Sequence, residues 1–195
     1  MDYREQWESF LNPEVFKDRL INISMYITIY EMLKDSIINR LKDFYIMTLI
    51  GARDLEGEEE YRSKVLSRRK NHLYASISWL IEHEVINEVD KENIEALKNY
   101  RNYLAHEMSD IVFNGEIKDL MKNFLCAYEL IHKIENWWII NFEIVINPDF
   151  TDANLEDIDI DIDIDNIQSG KKLMIDMALS VLSGSEELLK KFKSN

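Results

Sequence analysis

Residues 13–50 read PEVFKDRLINISMYITIYEMLKDSIINRLKDFYIMTLI, and after the opening proline the run contains neither glycine nor proline. Its apolar residues recur at steps of three or four, through Phe16, Leu20, Ile23, Ile27, Tyr30, Leu33, Ile37, Leu41 and Tyr45. That is the period of a helix face, because a strand would alternate every second residue. Asn12-Pro13 supplies the start signal. An Asn side chain accepts from the free amides of a first turn, and proline fits the first helical position. The run predicts one long helix, or two with a slight break. Across the whole chain only 5 Gly and 2 Pro punctuate 195 residues. Sandwiches and doubly wound sheets need more turn residues, so the expected fold is mainly α, a helical bundle.

The remaining segments follow from the same patterns. GARDLEGEEE (51–60) reads as a loop. Residues 61–86 read as a second helix, basic in its first half and apolar in its second. Asp90 is expected to cap the next helix, DKENIEALKNYRNYLAHEM, and FNGEI (113–117) to form a turn. Further amphipathic helices are expected over 117–138 and 171–193. Residues 139–147 (IINFEIVIN) change to a two-residue alternation, as do residues 157–165 (DIDIDIDID). Two readings fit: a small hairpin with an isoleucine face and an acidic face, or a solvated acidic linker. Calcium binding fits less well, because the glycine and terminal glutamate of an EF-hand loop are missing. The expected division is a helical domain over 1–147, an acidic segment over 148–170, and a terminal helix over 171–195 that packs on the same domain.

Charge and cysteine usage narrow the function classes. The formal net charge of −14 opposes broad attraction to nucleic acid or anionic membrane, although the charge is unevenly spread. The single cysteine, Cys126, lies in an apolar helical pattern and reads as a small buried hydrophobe. The opening MDYREQWESF is polar and acidic, unlike a signal peptide. The uncharged run over 20–30 falls well short of the roughly 20 apolar residues that cross a bilayer. A cytoplasmic protein without membrane attachment, metal or cofactor is expected.

One stretch breaks the helix pattern. In residues 101–108, RNYLAHEM, Arg101 takes the vacant place on a stripe otherwise made by Ile94, Leu97, Leu104 and Met108. A buried arginine is costly unless paired, so this place should face a cleft, an interface or an acidic partner. Asn102 and His106, four apart, share an adjacent face. Spacing alone is better satisfied by an arginine salt-bridged across a helix pair and a histidine favoured by a helix carboxyl end.

Arg101-Asn102-Tyr103-Leu104-Ala105-His106 resembles the R-x4–6-H signature of HEPN domains, in which a polar residue, often Asn, follows the arginine. The resemblance covers roughly residues 13–140. It implies a helical bundle that dimerises so that two motifs face each other, and a metal-independent endoribonuclease of the toxin or antiviral-defence type, restrained in some cases by an antitoxin. Arg101 and His106 match the defining positions and Asn102 the polar one. Two places beyond the histidine, one toxin subgroup carries a tyrosine that a partner enzyme modifies; here Met108 stands there. Some members also use an acidic residue of an earlier helix, and Glu31 is the candidate partner for Arg101.

The implied chemistry is coherent. An RNA 2′-OH can attack its own 3′-phosphate, so no metal-activated water is required. Histidine is the side chain suited to proton transfer near neutrality, which gives His106 that role. The planar guanidinium of Arg101 offers paired donors to phosphoryl oxygens, and Asn102 would orient the histidine or contact the phosphate. Arg62, Lys64, Arg68, Arg69 and Lys70, followed by His72, are the candidate contacts to an RNA backbone, or else a solvated basic face. The acidic stretch from Glu135 onward would repel RNA. His72, His83 and His132 lack metal spacing with one another. The competing class is a non-catalytic helical module that dimerises or binds a partner through Arg101.

Overall fold

The computed structural model describes residues 3–48, 54–115, 117–143, 170–186 and 190. Every regular element among them is helical: α1 (Tyr3–Phe10), α2 (Pro13–Thr48), α3 (Asp54–Lys64), a 3-10 turn (Leu66–Arg68), α4 (His72–Glu82), α5 (Glu88–His106), α6 (Met108–Asn114), α7 (Leu120–Trp138), a π-helical turn (Ile139–Glu143) and α8 (Gly170–Ser183). The mainly α expectation holds. The chain divides into two compact units, Met1–Lys34 with Glu88–Glu129 and Met174–Asn195, and Asp35–Asn87 with Leu130–Leu173.

The long run of residues 13–50 is a single helix over its described length, and Asn12 starts it by accepting from the amides of Glu14 at 3.0 Å and Val15 at 3.5 Å. In the first unit, Ile23, Tyr26, Ile29, Tyr30 and Leu33 of α2 are buried together with Ile94, Leu97 and Leu104 of α5 and Phe124 of α7. Tyr26 and Ile29, rather than the expected Ile27, complete the buried face. The Tyr26 hydroxyl donates to the Leu97 carbonyl at 3.0 Å, and its ring meets Tyr100 edge-on. Helix α6 ends at Gly115 in the left-handed conformation, φ +78°. Arg19 of α2 is buried at this end, where its guanidinium donates to the carbonyls of Val112 at 2.6 Å and Phe113 at 3.2 Å. These are terminal carbonyls that the helix itself leaves unsatisfied.

In the second unit the core is aromatic. Trp79 stacks on His83, lies parallel to Trp138 and donates its indole N–H to the Tyr45 hydroxyl at 2.9 Å. Several expectations change in the described residues. Residues 54–60 are helical, not loop, and open α3. The expected helix over 61–86 is broken, because the chain turns through Leu66–Arg68 and Asn71 starts α4 by accepting from the amides of Leu73 and Tyr74. Asp90 lies inside the first turn of α5, which starts earlier, at Glu88. Ile139–Glu143 continue α7 as a π-helical turn instead of forming a strand, and Phe142 packs there on Phe44, Trp137 and Trp138. Helix α8 ends at Ser183 ahead of Gly184, φ +66°, well short of residue 193. The Asp-Ile repeat over 157–165 lies outside the described residues.

Candidate functional site

Helix α5 positions the three motif residues. Ile94, Leu97 and Leu104 fix its inner face, and Arg101 sits on that face one turn before Leu104. Its side chain is half-buried, 34% exposed, and Nη2 donates to Glu31 Oε1 of α2 at 3.2 Å. The second oxygen of Glu31 accepts from Lys34 Nζ at 3.1 Å. The Nε of Arg101 is buried and makes no hydrogen bond. The carboxylate therefore holds one corner of the fork and leaves donor capacity uncommitted.

Asn102 is partly exposed, and His106 is the last residue of α5 and exposed. The helix breaks at Glu107, and α6 begins at Met108. The second helix, α6, was not expected; the imidazole stands at the carboxyl end of α5, as one of the two readings of the spacing had it. At about 100° per residue, Asn102 and His106 are some 40° apart around the axis, while Arg101 is about 100° from Asn102 and about 140° from His106. Neither Asn102 nor His106 has a hydrogen-bond partner among the described residues. The helix thus carries a tethered guanidinium, an amide and an exposed imidazole, groups chemically able to bind an anion and to move a proton, of which only Arg101 is joined to another sequence-predicted residue, Glu31.

The basic run falls in the second unit. Arg62 and Lys64 occupy the last turn of α3, Arg68 the 3-10 turn, and Arg69 and Lys70 the connection to α4. Lys64 pairs with Glu60 at 3.3 Å and lies over the Tyr45 ring. Arg68 pairs with Glu82 and donates to the Lys64 carbonyl. His83 carries its Nδ1 proton to the Trp79 carbonyl at 2.8 Å and stacks on that indole, while His132 contacts Asn136. Among the described residues, no three His, Cys, Asp or Glu side chains are placed to hold a metal ion, and no helix is long and apolar enough to cross a membrane. Burial pushes the Cys126 thiol up, with Glu129 and Asp90 acting in the same direction, so its reactive form is disfavoured.

A buried polar cluster escaped the sequence. Glu135 of α7 accepts from the Ser36 hydroxyl at 2.6 Å and from Lys171 Nζ at 2.9 Å, and Lys171 also reaches Asp35 at 2.8 Å. Burial alone would raise the Asp35 carboxyl, but hydrogen bonds from Lys171 and Asn39 outweigh it and hold the group below its usual range. The one sequence signal was Glu135 following the apolar Ile131 and Ile134.

Compared with protein-family models, curated proteins and solved structures, the chain matches none of them.

Proposed function

We propose that the chain is a metal-independent endoribonuclease of HEPN type that acts as a homodimer, in the role of a toxin or antiphage effector with an antitoxin or defence-system partner. The observation that carries the reading is the Arg101 guanidinium, half-buried and tethered by Glu31, with the open His106 five residues further along the same helix. In this mechanism the RNA 2′-oxygen attacks the adjacent phosphorus. The bond from phosphorus to the 5′-oxygen breaks, and His106 accepts the hydroxyl proton or supplies one to the leaving oxygen. Arg101 stabilises the charge that grows on the phosphoryl oxygens, through donors that Glu31 leaves uncommitted. Asn102 orients the imidazole or holds the phosphate. The products carry 2′,3′-cyclic phosphate and 5′-hydroxyl ends, and DNA is not cut, because it has no 2′-hydroxyl.

Incubation of purified protein with RNA in EDTA tests the reading. Cleavage that disappears in His106→Ala supports it. An inactive wild type, or a variant that cuts as fast as the wild type, sinks it.

The Glu31–Arg101 ion pair also favours a second reading, in which Arg101 ties α2 to α5 in a non-catalytic module for dimerisation or partner binding. Arg101→Ala then changes oligomeric state or partner binding, with no nuclease activity to lose.

A further inference from the structure

We propose that the last turn of α3 and its connection to α4 form a docking surface for the phosphate backbone of a single RNA strand, gripped by Arg62, Arg69 and Lys70. The choice of RNA among polyanions rests on the ribonuclease reading; the cationic surface rests on this turn alone.

The five cations of residues 62–70 are not equivalent. Lys64 is neutralised by Glu60, and Arg68 by Glu82. Arg62, Arg69 and Lys70 are exposed and take part in no ion pair among the described residues, although Glu56, Glu58 and Glu59 stand exposed on the same helix α3. Three unpaired cations within nine residues, Arg62 in the last turn of α3 and Arg69 and Lys70 on the connection after it, are a concentrated positive site in a chain whose formal net charge is −14.

The turn that carries them is fixed. Val65 and Leu73 are buried on either side of it, Arg69 is extended at φ −150°, and Asn71 already satisfies the first amides of α4. The attraction therefore comes from side chains and not from an open helix end. Ser63, Ser67 and Asn71 lie among the cations and are exposed, which adds neutral polar groups beside the charges.

The same surroundings select the partner. No large apolar side chain is exposed among the described residues between Phe16 and Val89, so nothing at this turn inserts into a lipid headgroup layer. The protein's overall negative charge also opposes a flat anionic membrane far more than a thin strand that touches one turn. An acidic peptide would want an apolar recess for its side chains, and the polar neighbours supply none. A phosphate backbone needs only spaced cations.

Fluorescence anisotropy with a labelled 2′-O-methyl RNA tests this, because that strand cannot be cut by 2′-hydroxyl attack. Three strand contacts predict a log–log salt slope of about −2, and Arg69→Glu/Lys70→Glu should weaken binding at least tenfold and reduce the slope by about 1.4. Arg69→Lys should retain most of the affinity, and a thermal melt of each variant checks that it is folded. Unchanged binding by the folded double variant overturns the proposal. Tighter binding of wild type to phosphatidylserine vesicles or to polyglutamate than to the RNA overturns it as well. Cleavage is scored separately on unmodified RNA. Retained binding without cleavage therefore sinks the nuclease reading and leaves the docking surface standing.

Discussion

Glu31 bridges two cations: Oε1 accepts from Arg101 Nη2 at 3.2 Å and Oε2 from Lys34 Nζ at 3.1 Å. The pair with Arg101 is partly exposed on both sides, 34% and 42%, so it aims the guanidinium more than it stabilises the fold. Glu31→Gln should therefore cost under about 1 kcal/mol of unfolding free energy. On the proposed nuclease reading, Arg101→Ala should in contrast slow RNA cleavage by roughly 100-fold or more, the usual effect of losing one donor to a developing oxyanion. Paired melting curves and cleavage rates check this. An Arg101→Ala protein that melts early and retains its cleavage rate would reverse the assignment.

At Gly115 the backbone lies at φ +78°, and a Cβ there would run into the Arg19 guanidinium. Gly115→Ala thus meets two costs, left-handed strain of roughly 1 kcal/mol and displacement of Arg19 from the α6 carbonyls. Urea denaturation should show a loss on the order of 2 kcal/mol or more. Adding Arg19→Ala should then cost little, because the first substitution has already removed that cap.

The helical class, the start of α2 and the Gly115 turn were legible because each depends on local chemistry: Asn12 and Pro13, the three-four period, and one glycine. The loop expected over 51–60 failed at Gly57, whose conformation is not a turn. It sits inside α3 because a Cβ would press on the Tyr45 carbonyl and Ile46 of α2, a close approach that only tertiary structure reveals. The break before α4 had a readable signal in Asn71, overridden by the continuing apolar pattern. The alternation over 139–143 mimics a strand, yet Phe142 is held by Phe44 and two tryptophans, so packing decides the local conformation. At the site, Arg101 and Glu31 were each visible as a charge beside an apolar run. The partition of the basic run between paired and unpaired cations was not, since Glu82 reaches Arg68 only once the helix has broken.

Two tyrosines set the alkaline limit of the first unit. Burial pushes Tyr100 up to about 12, and it drives Tyr26 higher still. In the unfolded chain both ionise near pH 10, so the native state holds its phenolic protons more tightly. Their contribution is present below about pH 10 and is lost as pH rises through the folded values. Stability measured from pH 9 to 12 should fall, and Tyr26→Phe with Tyr100→Phe should flatten that fall while lowering stability at pH 7 through the lost hydrogen bonds to Leu97 and Lys118. An unchanged alkaline slope in the double variant would assign the loss to other groups.

Within the second unit, Lys171 in the first turn of α8 reaches Glu135, Ser36 and Asp35 at 2.9, 3.1 and 2.8 Å. Glu135 is 8% exposed, so without the ammonium its carboxylate retains the Ser36 hydroxyl and the more distant Arg40, 3.7 Å away, as partners. Lys171→Met should therefore destabilise by on the order of 3 kcal/mol, because it leaves a buried charge undercompensated. Lys171→Met combined with Glu135→Leu should recover much of that loss, since an apolar pair of similar volume removes the desolvation cost along with the attraction. Urea unfolding of the two single variants and the double one gives the coupling directly. Additive losses would mean that Lys171 and Glu135 act independently.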